Sequence, residues 1–248
     1  MNKELIQARF AKNLSSYNEN AKIQKCMAER LVSFITPKEN LRILEIGCGT
    51  GFLTKLACQK LNYETYIAID IVEECRDYIS QIDNKIVFLA DDIENYIINT
   101  EEKFDLIISN ASLQWVDNFE NTIRSLKSML SIDGELIFSS FGKENFREFY
   151  QILGTTLDYY SSKEIKELFT DLNIITEEEI RIMAFSTPKD VLKHLQMTGV
   201  NAIESKAWTK KDLKSFENAY QNLCSRRPTL TYNPIYIKIN SRQVGNIS

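Results

Sequence analysis

Leu44-Glu45-Ile46-Gly47-Cys48-Gly49-Thr50-Gly51 is the stretch that decides the fold. A β-rich run, Arg42-Ile43-Leu44-Glu45-Ile46, ends in glycines, and a helical pattern follows at 51–60. Gly47, Gly49 and Gly51 let the backbone turn tightly and come close to a ligand. The dinucleotide fingerprint G-x-G-x-x-G needs its third glycine one residue later, where this chain has Phe52. The loop is therefore a poor match to enzymes that hold a pyrophosphate on a helix N-terminus. Taken alone, it is also compatible with an ordinary glycine-rich turn.

Outward from this loop the pattern alternates. Strands are expected at 42–46, 64–69, 85–90, 104–109 and 134–141, with helices near 51–60, 72–81, 93–98 and 118–130. Such alternation implies βαβ units and a parallel sheet covered on both faces. Crossover handedness then favours an α/β fold with a doubly wound, mainly parallel sheet. Upstream, Ala21, Ile23, Met27, Leu31 and Phe34 recur at helical spacing and predict a helix over 19–35. Downstream, 143–172, 189–197 and 209–224 read as helices, 178–185 as a strand and 229–239 as a final strand. Pro234 within that last run suggests an edge position or a bulge. The expected layout is one domain over 1–248. It has a helical cap at 1–36, a cofactor-binding core at 40–142, a helical substrate-side insertion after the fifth strand at 143–228, and the last strand at 229–240.

Two acids extend the signal. Asp70 ends the second strand about 20 residues past the glycines, where a carboxylate accepts from ribose hydroxyls. Asp91 ends the third strand and is placed to accept from an adenine amine, with the backbone of Asp92 and Ile93 against the ring edge. Each acid could instead cap the helix that follows it. The fourth strand runs into Ser109-Asn110-Ala111-Ser112-Leu113-Gln114-Trp115. Ligands sit at the carboxyl ends of such strands, so Asn110 and Ala111 should line the cofactor, with Gln114 and Trp115 at its reacting end. Core packing is the alternative for Trp115.

Composition excludes several classes. The net charge of -4 is a poor fit to gripping nucleic acid. Five scattered cysteines and one histidine argue against a zinc site or a disulfide framework, so no metal is expected. No stretch reads as a signal peptide or a membrane span, and a cytoplasmic monomer is the expectation. His194, in a helical pattern, reads as structural.

Together the glycine loop, Asp70, Asp91 and the Asn110 strand resemble the class I, Rossmann-like methyltransferases over about residues 40–142. That resemblance implies S-adenosylmethionine as cofactor, held by Glu45, Gly47, Cys48, Gly49, Gly51, Asp70, Ile71, Asp91, Asp92, Asn110 and Ala111. Further segments are similar to the malonyl-carrier-protein O-methyltransferases of biotin synthesis. These are Arg9-Phe10 with Ser16-Tyr17-Asn18, Ala21-Lys22-Ile23-Gln24, Ser112-Leu113-Gln114-Trp115-Val116, Phe141-Gly142 with Asn145-Phe146-Arg147-Glu148-Phe149, the run from His194 to Ala202, and Arg227-Pro228-Thr229-Leu230-Thr231-Tyr232. The family usually shows Ser-Tyr-Asp, and Asn18 stands here at the Asp.

The resemblance implies methylation of the free carboxylate of malonyl-acyl carrier protein. Such a carboxylate is ionised at neutral pH and needs no general base. Tyr17 on the N-terminal segment is expected to cover the site and donate to the substrate, or else to be a packed surface tyrosine. An acidic carrier calls for a local basic surface, with Arg226 and Arg227 favoured and Lys210, Lys211 and Lys214 beside them. Solvated helix faces are the plainer reading of these cations. Methylation of another small carboxylate, a phenol or a quinone, an RNA methyltransferase and a catalytically silent cofactor-binding protein are the alternatives.

Overall fold

The computed structural model describes residues 2–154, 157–198, 208–224 and 227–241. Strands β1 (Leu41–Ile46), β2 (Tyr63–Asp70), β3 (Val87–Ala90), β4 (Phe104–Asn110) and β5 (Leu130–Phe141) pair in parallel. With β6 (Ile174–Glu178) and β9 (Pro234–Asn240) they form a seven-stranded sheet of order β3-β2-β1-β4-β5-β9-β6. β9 runs antiparallel to both of its neighbours. The order reverses between β1 and β4, so the helices leaving these strands diverge and open a crevice at their carboxyl ends.

The central strands are apolar on both faces, as a doubly covered sheet requires. Leu41 and Ile43 enter one buried cluster with Met27 and Leu31, while Leu44 and Ile46 enter a second with Ile123 and Leu126. The first cluster packs α2 (Lys22–Ser33), α3 (Phe52–Lys60) and α4 (Cys75–Ser80) against the sheet. The second packs α5 (Ile93–Asn99), α6 (Phe119–Ser128) and α8 (Ser162–Leu168).

Several boundaries differ from the sequence expectation. A helix α1 (Lys3–Asn20) precedes α2, capped by Asn2, whose side chain accepts from the Leu5 N–H. Only Ile6 and Leu14 are buried on it; Leu14 joins the first cluster, and much of the apolar stripe lines a cavity. The segment expected to be helical over 143–172 holds α7 (Arg147–Leu153) and α8. The strand expected over 178–185 is the shorter β7 (Arg181–Ala184), and β6 falls almost wholly before it. The final run splits into β8 (Thr229–Tyr232), which pairs with β7 in a separate two-stranded sheet, and β9. Pro234 is thus neither on an edge strand nor in a bulge: it is the first residue of an interior strand, where its missing N–H is tolerated.

Buried polar groups hold this split in place. The Asn233 amide donates to Glu178 and to the Glu179 carbonyl, and its oxygen accepts from the Glu144 N–H. Glu148 accepts from the Thr231 N–H at 2.8 Å and its hydroxyl at 2.7 Å, tying α7 to β8. His194, on α9 (Pro188–Met197), lies 2.7 Å from the Tyr232 hydroxyl and is 8% exposed. Its role is structural, as expected.

Burial, with Lys22 adding, pushes His194 down from 6.5 to about 4. The folded chain therefore binds this proton more weakly than the unfolded one, and acid favours unfolding. Its neutral form supports the fold fully above pH 6.5, and that support is expected to fall by up to about 3 kcal/mol as pH drops toward 4. Urea unfolding across pH 4 to 8 checks this against His194→Gln; parallel pH profiles for the two proteins would refute it.

Candidate active site

The carboxyl ends of β1 to β4 open onto a cleft. Its floor is the glycine loop. The Gly47 and Cys48 N–H groups donate to the Ile69 carbonyl, and the Gly49 N–H donates to Asp70 Oδ2 at 2.8 Å. Asp70 Oδ1 accepts from the Val72 N–H at 3.0 Å. Burial raises the Asp70 carboxyl, while these N–H groups work against the shift. The Asp91 N–H donates to the Asp70 carbonyl, which couples the two acid-bearing turns.

Most of the expected residues meet here. Glu45, Gly47, Cys48, Gly49, Asp70, Ile71, Asp91, Asp92, Asn110, Ala111, Tyr17 and Trp115 all line the cleft. Gly51 and Gln114 do not. Gly51 has a left-handed φ of 76°, and a Cβ there would stand 2.3 Å from Ile82 Cδ1, so it turns the chain into α3 against a core side chain. Gln114 folds back and donates to the Ala111 carbonyl at 2.8 Å.

Local bonding sorts the remaining roles. Asp92, not Asp91, accepts from the Glu94 N–H and caps α5. The Asn110 side chain is committed to the Gln24 carbonyl and the Ser139 hydroxyl, fixing α2 to the ends of β4 and β5. Ala111 takes a left-handed φ of 51° with its N–H on Ser139, a strained placement of the kind that collects at functional sites. Glu45 is 1% exposed and accepts from the Tyr66 hydroxyl; burial pushes it up to about 7 despite that bond.

The N-terminal segment, where Tyr17 is expected to cover the site, is the helix α1, which the sequence reading did not place as a helix. Ile6, Phe10, Leu14 and Tyr17 on α1 all face the cleft. Their spacing of three to four residues is the helical signal that was available. The Phe10 ring sits 6.1 Å from Tyr17 and 6.2 Å, edge-on, from Trp115. The Trp115 Nε1 is buried in the cleft wall with no hydrogen-bond partner among the described residues. At one end of α1, Lys3 pairs with Asp92, Glu94 and Asp117. Burial opposes its charge, but the three carboxylates outweigh burial and raise its pKa. At the other end, the Thr50 hydroxyl donates to Asn18 Oδ1 at 2.7 Å. An amide oxygen makes this bond as a carboxylate would, so the contact needs no charge at position 18.

Of the expected basic surface, Lys210, Lys211 and Lys214 are exposed on α10 (Lys210–Leu223), and Arg227 is exposed before β8. Arg226 and the run 199–202 lie outside the described residues.

The family model described as a methyltransferase domain matches residues 17–177. A malonyl-acyl carrier protein O-methyltransferase of Chlorobium luteolum is 36% identical over 259 residues, covering 99% of this chain and 98% of the relative. One of the same name from Calditerrivibrio nitroreducens is 37% identical over 240 residues, covering 94% and 95%. Among solved structures, the YcgJ protein of Bacillus subtilis aligns with a TM-score of 0.64 at 12% identity, covering 88% of this chain and 98% of the other. The N-methyltransferase NodS of Bradyrhizobium japonicum, in complex with S-adenosyl-L-homocysteine, aligns with a TM-score of 0.53 at 15% identity, covering 95% and 97%. Identities this low speak to the fold alone.

The Lys3 contacts imply a test of the roof. Lys3→Gln is expected to speed amide exchange along residues 3–20 severalfold while leaving β1 and β4 unchanged. Equal protection in both proteins would mean that the apolar face alone holds α1.

Proposed function

The chain belongs to the malonyl-acyl carrier protein O-methyltransferase family, within the methyltransferase-domain proteins, and on that premise we propose that it methylates the free carboxylate of malonyl-acyl carrier protein. The cofactor is S-adenosylmethionine, which supplies an electrophilic methyl group on a sulfonium. The observation that carries the reading is the convergence of the glycine loop, Asp70 and Asp91 with Tyr17 and Trp115 on one cleft.

The cleft fits an adenosyl ligand. Space beside Gly49 is open, with nothing within 4 Å of where a Cβ would stand. Each Asp70 oxygen accepts one backbone N–H and keeps a lone pair for a ribose hydroxyl. Asp91 Oδ1 accepts from the Asp92 N–H, leaving its other oxygen for the adenine amine. Glu45, by contrast, supports the loop from below through Tyr66.

The acceptor end follows from α1. An ionised carboxylate with a pKa near about 4 needs orientation and desolvation but no base. The chain's one histidine, His194, is not among the cleft residues, in keeping with that requirement. Burial, with Asp70 adding, keeps the Tyr17 phenol protonated, so it acts as a donor. The Trp115 indole N–H, without a partner among the described residues, is a second donor open to an acceptor oxygen. Phe10 packs beside both rings on the roof of the cleft.

Asp70→Ala is expected to weaken S-adenosylmethionine binding by about 1–3 kcal/mol, read by calorimetry. Unchanged affinity in the folded variant would leave Asp70 as a support for the loop only. The carrier is tested by turnover. Malonyl-acyl carrier protein is expected to be methylated with a kcat/KM well above that of malonyl-coenzyme A or free malonate. Reversing Arg226 and Arg227 to Glu should raise KM for the carrier substrate severalfold and leave cofactor affinity unchanged. Equal turnover of all three substrates would replace this reading with a small-carboxylate methyltransferase.

A further inference from the structure

The charges along the cleft are uneven. Glu45, Asp70, Asp91 and Asp92 line it, and only two cations, Lys3 and Lys25, do so among the described residues. Lys3 is taken by three carboxylates near the start of α1. Lys25 has no carboxylate within ion-pair reach among the described residues. Its Nζ lies 5.3 Å from the centroid of the Phe52 ring, the first residue of α3 after the glycine loop. The half-buried lysine thus spreads its stem along an apolar surface and brings an ammonium to the loop end of the cleft. A cation–π contact holds it there without neutralising it. The helix fixes its root, since the Lys25 N–H donates to the Ala21 carbonyl at 2.9 Å.

We propose that Lys25 binds the α-carboxylate of the cofactor's methionine half. The inference rests on S-adenosylmethionine being the ligand. That molecule carries one carboxylate, at the end remote from the adenine. With Asp70 and Asp91 taking the adenosine, its amino-acid end falls between the glycine loop and α2. A carboxylate entering a cleft with this many acids needs a cation beside it, and Lys25 is the one whose charge is uncommitted. Lys25 therefore fixes which way the cofactor lies and keeps the methyl group toward Trp115.

The test is calorimetric and needs no turnover. Wild type, Lys25→Met and Lys25→Arg are titrated with S-adenosylhomocysteine and with its decarboxylated counterpart, which keeps the amine and lacks the carboxylate. Lys25→Met is expected to bind S-adenosylhomocysteine roughly 10- to 100-fold more weakly, the range for losing one charged hydrogen bond. Its affinity for the decarboxylated ligand should match wild type, which also reports an intact fold. Lys25→Arg should retain most of the affinity. Unchanged binding of S-adenosylhomocysteine by Lys25→Met, or an equal loss for both ligands, overturns the proposal. A raised KM for the malonyl substrate with unchanged S-adenosylhomocysteine affinity also overturns it and assigns Lys25 to the acceptor. Failure of the wild type to bind S-adenosylhomocysteine would overturn the cofactor reading itself.

Discussion

The Asp70 carboxylate, accepting the Gly49 N–H on one oxygen and the Val72 N–H on the other, is the contact on which the site depends. It joins the loop after β1 to the turn after β2, at the point where the sheet's strand order reverses. A glycine loop in left-handed backbone has many other conformations available to it. Anchoring its middle N–H to a buried carboxylate selects one. The Asp91 N–H then bonds the Asp70 carbonyl, so the third strand's acid is set relative to the second. Support for the loop and the offer of lone pairs to a ligand come from the same side chain.

The roof is built on a different principle. α1 buries little of itself in a core, and its apolar face looks into the cleft. What holds it is a set of contacts at its two ends: Lys3 on three carboxylates, Gln7 on the Ile71 carbonyl, and Asn18 on Thr50. An element fastened at its ends over a cavity sits at the low-stability end of a fold, where ligand-covering segments are found. Its ion pairs are partly exposed, so each contributes modestly and salt weakens them. A bound ligand would add to the packing that Leu14, Phe10 and Ala11 already give this face.

Beyond the sheet, Glu148, Asn233 and the His194–Tyr232 pair do for the insertion what Asp70 does for the loop. Each is a polar group buried among apolar neighbours and satisfied by a partner distant in sequence. That combination is costly to break, and it fixes where α7, α9 and β8 stand against the sheet.

The core was legible because its signals are local. Alternation of strand and helix, three glycines in five residues, and acids at strand ends all follow from short-range periodicity and backbone chemistry. Gly47, Gly49, Asp70 and Asp91 could therefore be placed from the sequence, as could the strands up to β5. Other features were decided by tertiary contacts. The break at Asn233 depends on Glu144, Glu178 and Glu179, far away in the chain. Gly51 and Gln114 belong to motifs that suggest a ligand, yet Ile82 and the Ala111 carbonyl take them. α1 carried a visible stripe, but a stripe does not say whether it meets a core or a cavity. Lys25 looks like any surface lysine until Phe52 and the acids of the cleft are in place around it. Spacing along the chain fixes which way neighbouring side chains point relative to one another. Whether a charge ends up paired, and whether an apolar face meets protein or ligand, depends on groups that only folding brings within a few ångströms.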